Sequence, residues 1–198
     1  MAKLKTWRNK DIFQFGLAVG LAGVEKYYCF RHKNMAKENF NISSLVNKDG
    51  CFDLQFRKDT RHERTNSPTY YRWKAQFIVT MPKEDIKILD KIKKEIGCGQ
   101  ITLSSGQARF SVQSIGDITH AVVPFFRRNP LAEKKKKDFE LWAKSVEIIN
   151  KNKGKCLASW KKNELISLIE IQKASVKYKI RPRQPKWLQM AQTLAKTI

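Results

Sequence analysis

The sequence predicts an α+β fold in which two β-hairpins form one four-stranded antiparallel sheet with helices covering one face. Three observations carry that prediction. Two stretches alternate apolar and polar residues with a period of two: Phe52, Leu54 and Phe56, then Tyr71, Trp73, Ala75, Phe77 and Val79. A stretch with Ile86, Leu89, Ile92 and Ile96 on one helical face follows them. A second, shorter alternating pair comes next, so the order reads helix, two strands, helix, two strands, then helices.

Each element follows from its residues. Residues 1–33 read as a basic N-terminal extension, whose segment 11–30 mixes apolar residues with glycine and is expected to form a packed helix. Residues 34–180 read as the main domain, opening with a helix over 34–48. Asp49-Gly50 ends that helix, with glycine expected to take the left-handed stop conformation. Strands over 51–57 and 71–79 flank a polar loop, and Pro82 is expected to break the second. The helix over 83–96 stops at Gly97-Cys98-Gly99. In the following hairpin Ile101 and Leu103 are expected to face inward, Ser105-Gly106 to turn, and Phe110 and Val112 to face inward again. Helices are predicted at about 116–126, 133–150 and 163–179. Residues 181–198 read as a basic C-terminal tail, with a Pro-marked break and then a short helix from Lys186. The core is expected to gather Leu54, Phe56, Trp73, Phe77, Ile92 and Phe110.

Composition narrows the function classes. In 198 residues, 40 Lys and Arg stand against 18 Asp and Glu, a formal charge of +22. So much like charge asks for a polyanion, which makes nucleic acid the leading partner and an anionic membrane surface a distant second. No stretch approaches the roughly 20 apolar residues of a membrane helix. Cys29, Cys51, Cys98 and Cys156 form no C-x-x-C pair and only three histidines are present, which argues against structural zinc.

The strands have a second face of a different kind. It carries Asp53, Gln55, Arg57, Arg72, Lys74, Gln76, Arg109, Ser111 and Gln113. Arg, Lys, Gln and Asp are the side chains that hydrogen-bond base edges, and Lys and Arg also neutralise phosphates. Gln55, Arg57, Arg72, Lys74, Gln76, Arg109 and Gln113 are therefore the candidate nucleic-acid contacts. Lys134 and Lys135, in the Lys134–Lys137 run, are further candidates for gripping phosphates.

The stretch Ile42-Ser-Ser-Leu-Val-Asn-Lys-Asp-Gly50, followed by Cys51-Phe52, resembles the motif of the LAGLIDADG homing-endonuclease family. Phe77-Ile-Val-Thr80, the run from Leu89 through Gly99, Val123-Pro-Phe-Phe126, Asn129-Pro-Leu131 and Lys135-Lys-Lys-Asp-Phe-Glu-Leu-Trp142 resemble that family's later segments. The resemblance implies an αββαββα unit with a saddle-shaped sheet lying on nucleic acid. It places the metal-binding catalytic acid on Asp49, with Mg²⁺ as the cofactor only if cleavage is retained. It implies a homodimer packed through the motif helix from Ile42 to Gly50. Ser43 and Ser44 stand where small residues let two such helices touch, Asn47 at the sixth position, and Lys48 where a small residue is usual. The polar position that orients metal-bound water falls on Met81, and a basic residue of the later helix on Lys134 or Lys135.

Two functions follow from this resemblance. One is a domesticated binder of structured organellar RNA, ribosomal or intronic, with weakened or lost cleavage and ribosomal proteins as further partners. The other is an active Mg²⁺-dependent homodimeric endonuclease cutting duplex DNA at a long pseudo-palindromic site. Both imply a mitochondrial or chloroplast setting.

Overall fold

A computed structural model describes residues 41–60, 69–179, 185 and 187–197. The expected extension 1–33, the start of the motif helix and the Pro-marked break before 185 lie outside the described residues. Helix α1 (Ile42–Asp49) runs directly into β1 (Gly50–Thr60), and β2 (Thr69–Pro82) returns antiparallel. A 3₁₀ turn (Lys83–Asp85) opens α2 (Ile86–Ile96), then β3 (Gln100–Ser104) and β4 (Gln107–Val112) form the second hairpin. Helix α3 (Ile115–Asp117), a π turn (Ile118–Val122) and α4 (Val123–Arg128) make one interrupted helix. The long α5 (Glu133–Lys151), α6 (Lys162–Ser175) and α7 (Leu188–Thr197) follow.

The sheet order is β1-β2-β4-β3. Its apolar face carries Phe52, Leu54, Phe56, Trp73, Ala75, Phe77, Val79, Ala108, Phe110 and Val112, all buried, with Ile92 of α2 against them. The predicted core therefore assembles in the predicted register, since a slip of one residue would have turned every side chain to the other face. Phe52 is its hub. Its ring centroid lies 5.1–5.4 Å from those of Phe77, Phe126, Phe139 and Trp142.

Two expectations need correction. Gly50 does not stop α1 with a left-handed backbone; it begins β1, and a Cβ there would stand 2.7 Å from the Val46 carbonyl oxygen. Glycine is needed for close approach of strand to helix, whereas Gly97, at φ +82°, does cap α2 in the left-handed conformation. Pro82 ends β2 as expected: it is the strand's last residue, where a missing N–H costs the ladder least. Leu103 does not face a core, being 55 % exposed on β3.

Among the described residues, side chains and no further strand meet the outer edge of β1. Lys135 Nζ donates to the Gly50 carbonyl at 2.7 Å, Gln172 Nε2 to that of Leu54 at 3.1 Å, and Lys179 Nζ to that of Phe52. Trp142 Nε1 donates to the Asp53 carbonyl at 3.1 Å from below. An edge strand left open would offer its carbonyls to any passing chain, so these donors protect as well as tie.

Candidate nucleic-acid interface

The β-register brings the candidate contacts onto the sheet face opposite the core. Asp53 pairs with Gln76, Gln55 with Lys74 and Arg57 with Arg72 across β1 and β2. Thr80 pairs with Arg109 and Arg109 with Thr102 across β2, β4 and β3. Gln113 joins them because Lys74 Nζ donates to its Oε1 at 2.6 Å. Arg57, Arg72 and Arg109 are exposed and Lys74 half-buried, so cationic heads stand over most of this face. Burial, then the Arg57 and Arg72 guanidiniums beside it, hold the Lys74 amine below the ordinary lysine range. Such crowding of like charge is relieved by a bound polyanion. Arg72 is also steered by Asp59, with Nε 2.5 Å from Oδ2.

Two of the residues depart from the simple picture of open contacts. Gln76 is 6 % exposed, and its Nε2 is spent on Asp53 Oδ2 at 2.7 Å. Lys135 is 8 % exposed and does not line the sheet face or stand open to a phosphate from solvent. Its ammonium lies on the Gly50 carbonyl, one residue past Asp49, although 85 positions separate the bonded residues. Burial pushes its pKa down, with Asp138 partly opposing. Lys134 is exposed on α5, away from the sheet ladder.

The motif helix builds the corner where Lys135 meets Gly50, the residue after Asp49. Ser43 Oγ donates to the Asn129 carbonyl at 3.2 Å, and the Ala132 N–H donates to Asn47 Oδ1 at 3.0 Å. These bonds pin the linker between α4 and α5 onto α1, and Ala132 is the residue that starts α5. One helical turn later Lys135 arrives at Gly50. Choosing Lys135 over Lys134 was within reach of the sequence: Lys135, Asp138, Phe139 and Trp142 share one helical face at i, i+3, i+4 and i+7. Asp138 and Lys179 complete the buried polar layer, with Nζ 2.8 Å from Oδ1. Asp49, Ser44 and Lys48 are exposed, and Ser44 and Lys48 share the outward side of α1. Met81 is 3 % exposed, on the core side of β2 with Val79, which pairs with Gly50.

Among the described residues no three His, Cys, Asp or Glu side chains converge as a metal cluster. At the end of the motif helix, one unit thus offers the exposed carboxylate of Asp49. No helix among the described residues is long and apolar enough to cross a membrane.

Comparison with known proteins agrees with this geometry. The family model described as LAGLIDADG endonuclease matches residues 42–146. A probable intron-encoded endonuclease 3 of Neurospora crassa is 31 % identical over 113 residues, covering 56 % of this chain and 20 % of the relative. A probable intron-encoded DNA endonuclease 1 of Mycosarcoma maydis is 27 % identical over 115 residues, 54 % of this chain and 39 % of the relative. The chain thus spans less than half the length of these curated relatives. Among solved structures, the homing endonuclease I-TnaI superposes with a TM-score of 0.59 at 19 % identity, over 78 % of this chain and 95 % of that one. I-LtrWI, a LAGLIDADG homing endonuclease bound to target DNA, gives 0.54 at 26 % identity, over 67 % and 42 %. With more than half its length matched by the family model, the chain belongs to the LAGLIDADG endonuclease family.

Proposed function

We propose that this unit binds duplex DNA on the outer face of its sheet and, paired with a second unit, cleaves it slowly at Asp49. The observation that carries the reading is the end of the motif helix: Asp49 is exposed there, and the next residue, Gly50, is held through its carbonyl by the buried Lys135, at one end of a cationic sheet face. Magnesium takes oxygen ligands, keeps several waters and shares the oxygens of substrate phosphates. Asp49 fits such a sparse site as one of its acids, the second coming from the paired unit. When bound, the ion would neutralise charge on the leaving oxygen and ease deprotonation of a water. Lys135, buried with its ammonium on the Gly50 carbonyl, holds the turn from α1 into β1 that carries Asp49.

Two residues argue for slowness. Met81, where a water-orienting amide would serve, is instead buried on the core side of β2 and brings no polar atom to a metal-bound water. Lys48, exposed beside Ser44, would face its copy if two α1 helices met, so pairing is favoured when phosphates lie nearby. Structured RNA draws support from charge, which attracts both nucleic acids alike. The DNA-bound neighbours favour the duplex, and the intron-encoded relatives fit an organellar gene, mitochondrial or chloroplast.

The test is a selection from randomised duplexes, followed by incubation of the best binder with Mg²⁺. Slow double-strand cutting is expected, lost in Asp49→Ala with binding kept within about threefold. Tight retention of folded RNA in place of every duplex would overturn the reading.

A further inference from the structure

Within the cationic face lies a patch of opposite character. Asp53 Oδ2 accepts from Gln55 Nε2 at 2.6 Å and from Gln76 Nε2 at 2.7 Å. A carboxylate can only accept, so both amides must turn their NH₂ groups toward it and their Oε1 atoms away. Gln76 stands opposite Asp53 in the ladder and is almost fully buried, which fixes that orientation. Among the described residues Asp53 makes no ion pair, although Arg57, Arg72 and Lys74 share its face; Arg72 goes to Asp59 and Lys74 to Gln113. The chain therefore keeps a carboxylate and two amide oxygens, all acceptors, at a place where neutralising phosphates would call for a donor.

We propose that Asp53, oriented by Gln55 and Gln76, reads the exocyclic amino group of a cytosine in the major groove. This rests on the reading that the outer face lies on duplex DNA. A carboxylate on a polyanion is unfavourable unless it meets a donor, and base edges offer two, the amino groups of cytosine and adenine. Adenine places its N7 acceptor beside that amine, which a carboxylate repels; cytosine places only a ring C–H there. The surrounding Arg57, Arg72 and Arg109 present donors, suited to guanine or phosphate. The face thus carries a chemical contrast that can fix register on a sequence. Asp53 lies three residues along β1 from Gly50, the residue after Asp49, a run of about 10 Å. The cytosine is then expected about three base pairs from the cut, at roughly 3.4 Å per step.

The experiment uses the full chain without Mg²⁺ and duplexes selected by binding. Wild type is expected to enrich cytosine at one position per unit. A selected duplex carrying 2-pyrimidinone there, which lacks the amino group, is expected to bind about tenfold more weakly. Asp53→Asn is expected to erase cytosine preference at that position while binding unrelated duplexes at least as tightly, because a negative charge has gone. Unchanged affinity for the pyrimidinone duplex, or the same cytosine preference in Asp53→Asn, would overturn the proposal while leaving DNA binding intact. Failure of wild type to bind any duplex would overturn this proposal together with the DNA reading beneath it.

Discussion

The two hairpins of the sheet read alike in sequence and are built differently. In the first hairpin β1 is tied from the helix side by Lys135, Trp142, Gln172 and Lys179, and both strands pack on the rings around Phe52. β3 forms the opposite edge with Ile101 half-buried and Leu103 mostly in solvent, so only β4 supplies buried side chains there. The difference shows that alternation specifies which face a side chain takes, whereas coverage of that face depends on helices from far along the chain. The unit's rigidity is concentrated beside Asp49. The second hairpin extends the outer face with little core of its own.

The largest effect is expected from breaking the buried ion pair under β1. Lys179→Ala leaves Asp138, which is fully buried, without its cation and strips the donor from the Phe52 carbonyl. A destabilisation of about 3–5 kcal/mol is expected, read as a shifted urea midpoint. Phe52→Ala removes the ring hub and should cost a similar or slightly smaller amount, about 3–5 kcal/mol. A cost under about 1 kcal/mol for either would mean the β1 side is no firmer than the β3 side.

A pH test sharpens the same contrast. Lys135 has a folded pKa below 10.5, lowered first by burial. Between that folded value and 10.5 the unfolded chain holds more protons, so stability should rise with pH through the window. Lys135→Met should flatten that alkaline rise. A slope identical to wild type would show that the amine is solvated. The smallest effect belongs to the other hairpin: Leu103→Thr is expected to change stability by less than about 0.5 kcal/mol.

Much of the fold was legible because strand periodicity is short and survives without tertiary information. The core set from Leu54 to Phe110 came out in register for that reason. Leu103 is in register too, opposite the buried Ala108, but lies in solvent, because its spacing is indistinguishable from that of a buried residue until the covering layer is placed. The candidate site was legible in part. The outer-face residues followed from strand parity, but the bonding of Gln76 to Asp53 depends on cross-strand pairing that a single strand does not reveal. Lys135 was hidden within a run of four lysines, and only the helical phase set by Phe139 and Trp142 separates it from its neighbours. Gly50 was recognised at the end of the motif helix, yet its reason is contact with Val46, a fact of packing.

The central claim is that the outer sheet face, and not the exposed lysines of α5, holds the nucleic acid. The direct measurement is the salt dependence of duplex affinity for two triple variants, Arg57→Ala/Lys74→Ala/Arg109→Ala and Lys134→Ala/Lys136→Ala/Lys137→Ala. Every phosphate that a variant no longer neutralises lowers the slope by about 0.9. The sheet-face triple is expected to lower it by about two to three units and the helix triple by less than about one. A sheet-face triple with wild-type slope, beside a helix triple whose slope falls by about two units or more, would contradict the account.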